Sequence, residues 1–254
     1  MANSTTKTEV SASLATWAKD NDIPAADLAE AYNLPSMSSL STKASVEAVA
    51  GSELDPSKTE VGRYIAIDCE MVGVGGEENE RSALARVSIV NYHGHLILDT
   101  FVRPKERVTD WRTWVSGVSA ASMKTAITYE EVQQKVSDIL QKRILVGHAV
   151  KNDLEVLLLS HPKRDIRDTS RHPSFRKLSG GKTPGLKKLA KEILGIEIQG
   201  GEHSSIEDAR ACMSLYRLRK DEFETLHAVK YPNHANKQKR KGGGGNGKKK
   251  KNKH

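Results

Sequence analysis

Arg63–Val72, RYIAIDCEMV, is the stretch on which the reading of this 254-residue chain turns. Ile65, Ala66, Ile67, Met71 and Val72 make it a β-strand apolar enough to lie centrally in a sheet, yet it carries two acids, Asp68 and Glu70. Side chains two apart on a strand share a face, so both carboxylates leave the same side. Two like charges in an apolar setting repel and lose hydration unless a positive group joins them. A hard divalent cation with oxygen ligands answers that need. Asp-x-Glu alone is a common tripeptide, so the rest of the chain must decide.

Outward from this strand, Leu84–Asn91 (LARVSIVN) and Leu96–Arg103 (LILDTFVR) read as two more, joined by a turn at Tyr92–His95. Short links make the three an antiparallel meander. The period then changes. Tyr129–Leu140 places Val132, Val136, Ile139 and Leu140 on one helical face, behind Thr128 as N-cap. Ile144–Gly147 is a short buried strand, Lys151–Leu159 a helix, and Ile166–Thr169 another short strand. Leu186–Leu194 is an amphipathic helix stopped by Gly195. Ser204–Phe223 is a last long helix with Ala209, Cys212, Met213 and Tyr216 inward. A meander followed by alternating helix and strand predicts an α/β fold, a mixed five-stranded sheet flanked by helices.

Beyond this block the composition shifts. Residues 1–60 hold four Lys/Arg against nine Asp/Glu and read as a polar, largely disordered extension, with at most a weak helix at Ala15–Tyr32 interrupted by Pro24. Residues 61–228 form the folded domain. Residues 229–254 hold ten Lys/Arg and no acid, with runs of four glycines and four lysines, and are expected to be disordered. The net charge of +8 is therefore mostly a property of the tail, which reads as a nuclear-import signal or an arm for RNA phosphates. No 18-residue apolar run is present, so no membrane-spanning helix is expected, and the first ten residues lack a secretory pattern. Cys69 and Cys212 are too few for a disulfide framework or a cysteine zinc site, which fits a reducing compartment.

Two further segments carry acids. In Gly147-His148-Ala149-Val150-Lys151-Asn152-Asp153, a buried strand ends and opens into a helix, the place where α/β folds build sites. Asp153 alone would be read as complementing the helix dipole. In His203-Ser204-Ser205-Ile206-Glu207-Asp208, Asp208 is about one turn into the last helix and His203 precedes it in a loop. A neutral imidazole is suited to taking a proton from an attacking water. Glu207 points about 100° away and reads as a plain helix-terminal charge. His148 is expected to orient the strand-to-helix turn, Asp168 to be structural, and Trp111 and Trp114 to anchor a local turn against the core. Gly73-Val74-Gly75-Gly76 lacks the Lys-Ser/Thr of a phosphate-binding loop and reads as a rim loop.

Taken in order, Asp68 and Glu70 on a first strand, Asp153 after a Gly-His strand end, and His203 with Asp208 on a last helix resemble the DEDDh exonucleases. Ala66–Gly73, Ser82–Ser88, Ser116–Val118, Val146–His148, Asn152–Leu154 and Ile166–Thr169 narrow the likeness to the Rex-type RNA exonucleases. The resemblance spans Arg63 to roughly Leu226 and implies a ribonuclease-H-like fold. It implies that Asp68, Glu70, Asp153 and Asp208 hold two divalent ions, Mg²⁺ or Mn²⁺, and that His203 is the general base. It also implies 3′→5′ removal of nucleoside 5′-monophosphates from RNA, a nuclear or nucleolar setting, pre-ribosomal RNA as substrate and pre-ribosomal proteins as partners. Met71 and Val72, next to the carboxylates, are candidates for packing against the terminal base, with core packing the preferred reading. A DNA-directed exonuclease of the same fold and a non-catalytic nucleic-acid-binding scaffold remain as alternatives, and the sequence leaves the oligomeric state open.

Overall fold

A computed structural model describes residues 56–76, 78–201 and 203–232. The expected helix at Ala15–Tyr32 lies outside the described residues, as does the expected disordered tail beyond residue 232; Val229 and Lys230, assigned to that tail, are helical. Among the described residues there are six strands: β1 (Tyr64–Val74), β2 (Arg81–Asn91), β3 (Leu96–Phe101), β4 (Val108–Asp110), β5 (Ile144–Gly147) and β6 (Ile166–Asp168). Their order is β3-β2-β1-β5-β6, with β4 paired to β1 off that path. The meander β1–β2–β3 is antiparallel, whereas β5 runs parallel to β1 and β6 parallel to β5. The sheet is thus mixed, as expected, but has six strands where five were predicted.

The extra strand and the longer β1 and β2 have one cause. β4 is three residues, Val-Thr-Asp, paired through Gly73 and Val74 to the end of β1. Backbone groups there pair without apolar alternation in the side chains, so no period of two is available to read. Gly75 turns the chain from β1 into β2 at φ 93, and a Cβ on it would meet the Asn79 carbonyl oxygen at 2.3 Å. The glycine stretch read as a rim loop is therefore half strand and half tight turn.

The helices are α1 (Pro56–Thr59), α2 (Thr113–Ser116), α3 (Tyr129–Leu140), α4 (Lys151–Val156), α5 (Pro173–Lys177), α6 (Leu186–Leu189), α7 (Ser205–Leu218) and α8 (Lys220–Lys230). α3 has the predicted bounds, with Thr128 and Glu131 forming a reciprocal cap. α6 passes into a wider turn over Ala190–Leu194 and ends at Gly195, φ 69. α1 lies inside the segment assigned to the extension: Asn91 Nδ2 donates to the carbonyls of Lys58 and Glu60 at 2.7 and 2.8 Å, so the ordered fold begins before residue 61. The predicted helix Ser204–Phe223 is two helices, broken at Arg219, whose ψ of 24 interrupts the ladder. Neither glycine nor proline marks the break. α8 belongs to a second unit, Arg219 onward, and extends to Lys230.

β1 alternates between two environments. Ile65, Ile67 and Cys69 enter the main core with Val87, Ile89, Val132, Val136, Leu145, Leu154 and Leu157. Ala66, Asp68 and Glu70 face the other way by the pleat. α7 packs against β1, β2 and β5. Every residue from Ser205 to Tyr216 is buried, so α7 is enclosed all round rather than lying on the surface with one inward stripe. Small residues, Ala209, Ala211, Cys212 and Ser214, allow that close approach. Among the described residues no helix is long and apolar enough to cross a membrane.

Candidate active site

Asp68 and Glu70 stand opposite Ser88 and Arg86 of β2, and the strand register slips immediately after Glu70. Such a bulge bends the strand and re-aims the side chains beside it. Arg86 binds Asp99 of β3 through two hydrogen bonds, 2.8 and 2.7 Å, and lies over the Phe101 ring at 5.1 Å. Ser88 Oγ donates to Asp99 at 2.7 Å and lies 2.6 Å from Ser205 Oγ. Because the Ser88 proton goes to Asp99, the Ser205 hydroxyl is the donor to Ser88. This chain ties the first residue of α7 to the sheet beside Asp68, and so sets where Asp208, three residues further on, must point.

Asp153 arrives from the other side. β5 ends at Gly147, where a Cβ would meet Val150 Cγ2 at 2.8 Å and the Ile67 carbonyl oxygen at 3.2 Å, so only glycine lets the chain pass this close to β1. The next turn puts Ala149 at φ 57, a left-handed conformation that non-glycine residues rarely adopt. Asp168 holds it: Oδ1 accepts from Ala149 N at 3.0 Å and from Ser170 N and Oγ at 3.0 and 2.7 Å. His148 braces the same corner, with Nδ1 2.9 Å from Thr169 Oγ1 and Nε2 3.0 Å from the Pro184 carbonyl. Asp168 and His148 are structural, as read from the sequence. α4 then buries Asp153 beside β1.

Asp208 is oriented by a residue the sequence did not single out. Gln199 Nε2 donates to Asp208 Oδ2 at 2.6 Å. Gln199 is itself left-handed, φ 55, and Lys187 Nζ donates to its carbonyl at 2.6 Å. No motif marks this glutamine within its polar, glycine-bearing loop, so no sequence signal could have found it. His203 is half-buried, its backbone N–H donates to Val115 O at 2.7 Å, and its Nδ1 is 4.0 Å from Asp208 Oδ2, too far for a hydrogen bond.

Ligand-capable atoms of Glu70, His203 and Asp208 all lie within 4.8 Å of one another. Asp68 and Asp153 are outside this tightest group but feel its charge. Asp68, which keeps partial solvent access, is held well above the ordinary carboxylate range by its enclosure and then by Asp208, Asp153 and Glu70, with Arg86 opposing. Burial pushes Glu70 up to about 8, helped by Asp208 and Asp153 against Arg86. Burial likewise takes Asp153 to about 7, and Asp208 to about 7 against Gln199. His203 moves the other way, lowered by burial and by the charge of Lys187, which leaves the imidazole neutral at pH 7. Four acids drawn from distant parts of the chain thus share one enclosed space.

The residues fit hard divalent cations. Glu70 Oε1 and Asp208 Oδ1 are buried and have no hydrogen-bond partner among the described residues. An orphaned buried carboxylate oxygen costs free energy that a coordinated cation removes, and an all-oxygen donor set suits Mg²⁺ or Mn²⁺.

Three expectations, at Val72, Glu207 and Trp114, are corrected. Val72 is fully buried with Ala85 and Val118, so it is core and cannot touch a substrate base; the bulge after Glu70 does not bring it to the surface. Met71 is partly buried and packs against the main core. Glu207 is 7% exposed rather than a solvated helix charge, because α7 is enclosed on that side too. Trp111 does pack beside the Val72 cluster, but Trp114 is 78% exposed and anchors nothing.

Residues 65–216 match the family described as Exonuclease. RNA exonuclease 4 of Saccharomyces cerevisiae is 64% identical over 169 residues, 66% of this chain and 58% of that protein. RNA exonuclease 4 of Gibberella zeae is 54% identical over 224 residues, covering 87% of this chain and 69% of the relative. The chain therefore spans less than two thirds of the first relative and somewhat more of the second. Among solved structures, the Saccharomyces cerevisiae Pan2 pseudoubiquitin hydrolase–RNA exonuclease module in complex with AAGGAA RNA superposes with a TM-score of 0.58 at 28% identity, over 74% of this chain and 33% of that one. With the family matched from Ile65 in β1 to Tyr216 in α7, and relatives of one name more than half identical to it, the chain belongs to the exonuclease family, in the group of RNA exonuclease 4.

Proposed function

We propose that this protein is a metal-dependent 3′→5′ exoribonuclease that releases nucleoside 5′-monophosphates, with its catalytic unit between Tyr64 and Leu218. The observation that carries the reading is the enclosed cluster of Asp68, Glu70, Asp153 and Asp208 beside a neutral His203, with buried oxygens on Glu70 and Asp208 that no group among the described residues satisfies. Those four carboxylates would hold two divalent ions, Mg²⁺ or Mn²⁺, which supply Lewis acidity and charge neutralisation at the scissile phosphate. His203 takes a proton from the attacking water; its lowered pKa keeps the ring unprotonated and ready to accept. Gln199 keeps Asp208 in one rotamer. Burial excludes competing water from the carboxylates.

RNA as substrate rests on the names of the relatives and on the RNA in the Pan2 complex. Action from the 3′ end, a part in ribosomal RNA maturation beside pre-ribosomal proteins, and a nuclear setting rest on the Rex-type resemblance, the last also on the basic run of residues 237–254. The test is incubation of the full chain with matched RNA and DNA oligomers labelled at the 5′ end, with Mn²⁺ or with EDTA. Stepwise shortening of the RNA with Mn²⁺ alone, lost in Asp68→Ala and His203→Ala, is expected. Equal or faster shortening of DNA would reassign the substrate, and no shortening of either would leave a nucleic-acid-binding scaffold.

A further inference from the structure

Trp114 is the only aromatic among the exposed large apolar side chains of the described residues, with 78% of its surface in solvent. The turn that carries it is fixed at almost every other group. Thr113 Oγ1 donates to the Val118 carbonyl at 2.7 Å, Ser116 Oγ donates to the Trp111 carbonyl at 3.0 Å, and Val118 N donates back to Ser116 Oγ at 3.1 Å. The turn is entered through Arg112 at φ 48, with its N–H on Asp110 Oδ1 at 2.9 Å, and left through Gly117 at φ 62. The residue after Trp114 is bonded to the active site itself: the Val115 carbonyl accepts from His203 N at 2.7 Å.

That bond sets the reach. Standard chain geometry across Val115 O to His203 N puts the Trp114 Cα no more than about 10 Å from that of His203. An indole held on a rigid turn loses little freedom when something binds to its face. Nucleobases stack on such faces regardless of sequence, and the charge of Lys187, close enough to act on His203, favours a phosphate chain running past the same place. Building on the nuclease reading, we propose that Trp114 is a stacking platform for one base of the single-stranded substrate, within a few nucleotides of the bond that is cut. α2 then places the base and the general base from one backbone element: the platform on one residue, the anchor of His203 on the next.

The test compares the full chain with its Trp114→Ala and Trp114→Phe variants. Substrates are 5′-labelled RNA oligomers in Mn²⁺, each intact or carrying one abasic position near the 3′ end, and a p-nitrophenyl ester of a single nucleoside 5′-phosphate. Trp114→Ala should raise KM for intact RNA roughly five- to 150-fold, the range of a lost base stack, with kcat held within about twofold. Trp114→Phe should recover most of the loss. In the wild type, one abasic position should reproduce the increase, and in Trp114→Ala the same position should add nothing, the signature of a shared interaction. Unchanged KM in Trp114→Ala overturns the proposal and leaves the indole as a protein-docking surface. An equal loss on the single-base ester overturns it in favour of a purely structural support of His203. If the wild type fails to cleave either the RNA or the ester, the nuclease reading falls first.

Discussion

The carboxylate cluster should make the metal-free protein strain against its own charge, and Asp208→Asn isolates one member of it. Asp208 titrates ordinarily near 3.8 and is pushed up to about 7 in the fold by burial. The folded state therefore binds a proton that the unfolded chain has released, and stability falls as pH rises through this interval. At about 1.4 kcal/mol for each tenfold change in proton affinity, ionised Asp208 at pH 8.5 costs on the order of 2–4 kcal/mol. Asparagine keeps the shape, cannot ionise, and offers Gln199 Nε2 the same acceptor. In EDTA the variant should melt above the wild type at pH 8.5 by roughly 4–16 °C for a domain of this size. Its advantage should grow from pH 4 and level off above about pH 7. Saturating Mn²⁺ should raise the wild-type Tm, by about 2.7 kcal/mol of linkage at a hundred times Kd, and raise the variant far less. Scanning calorimetry across pH, with and without Mn²⁺, reads all of this. A variant that melts more than about 5 °C below wild type in EDTA at pH 8.5 would refute the reasoning, because Asp208 would then be a structural hydrogen-bond hub.

Gln199→Leu removes the donor on Asp208 Oδ2, so calorimetric titration with Mn²⁺ should show affinity weaker by roughly ten- to 100-fold. Unchanged affinity would mean that Asp208 is oriented by α7 alone. Asp168→Ala strips the acceptor from Ala149 N and Ser170 N, and urea unfolding should show a loss of about 1–3 kcal/mol. A loss under about 0.5 kcal/mol, the level of an ordinary surface substitution, would mean that the Ala149 turn holds itself. Deletion of residues 237–254 should weaken RNA binding and reduce the salt slope by about 0.7 for each lost phosphate contact, with turnover at saturation unchanged. A collapse of turnover would place the tail in the active site.

The parts of this molecule that could be read from the chain are those written in local period and chemistry. Thr128–Leu140 shows its cap and its apolar face in the sequence, and the structure has both at the same residues. The acids and His203 were legible because charged residues in an apolar strand, after a strand end and at a helix start are locally anomalous. Trp114 reads as a core anchor in the sequence and stands in solvent in the structure, because nothing in sequence distinguishes an indole that finds a pocket from one that does not. The break at Arg219 was illegible because no residue there forbids a helix.

Residue order and pattern were enough for an α/β sheet and for singling out Asp68, Glu70, Asp153, His203 and Asp208 as its candidate site residues, since a strand's pleat and a helix's period follow from the backbone alone. Which neighbours make those acids basic enough to hold protons near neutrality, and which hold them in place, depended on folding. Gln199 reaches Asp208, Arg86 faces Glu70, and Ser205 meets Ser88 across 117 positions of chain. Those encounters are products of how β2, α7 and their loops pack, and desolvation exists only once packing has removed the water.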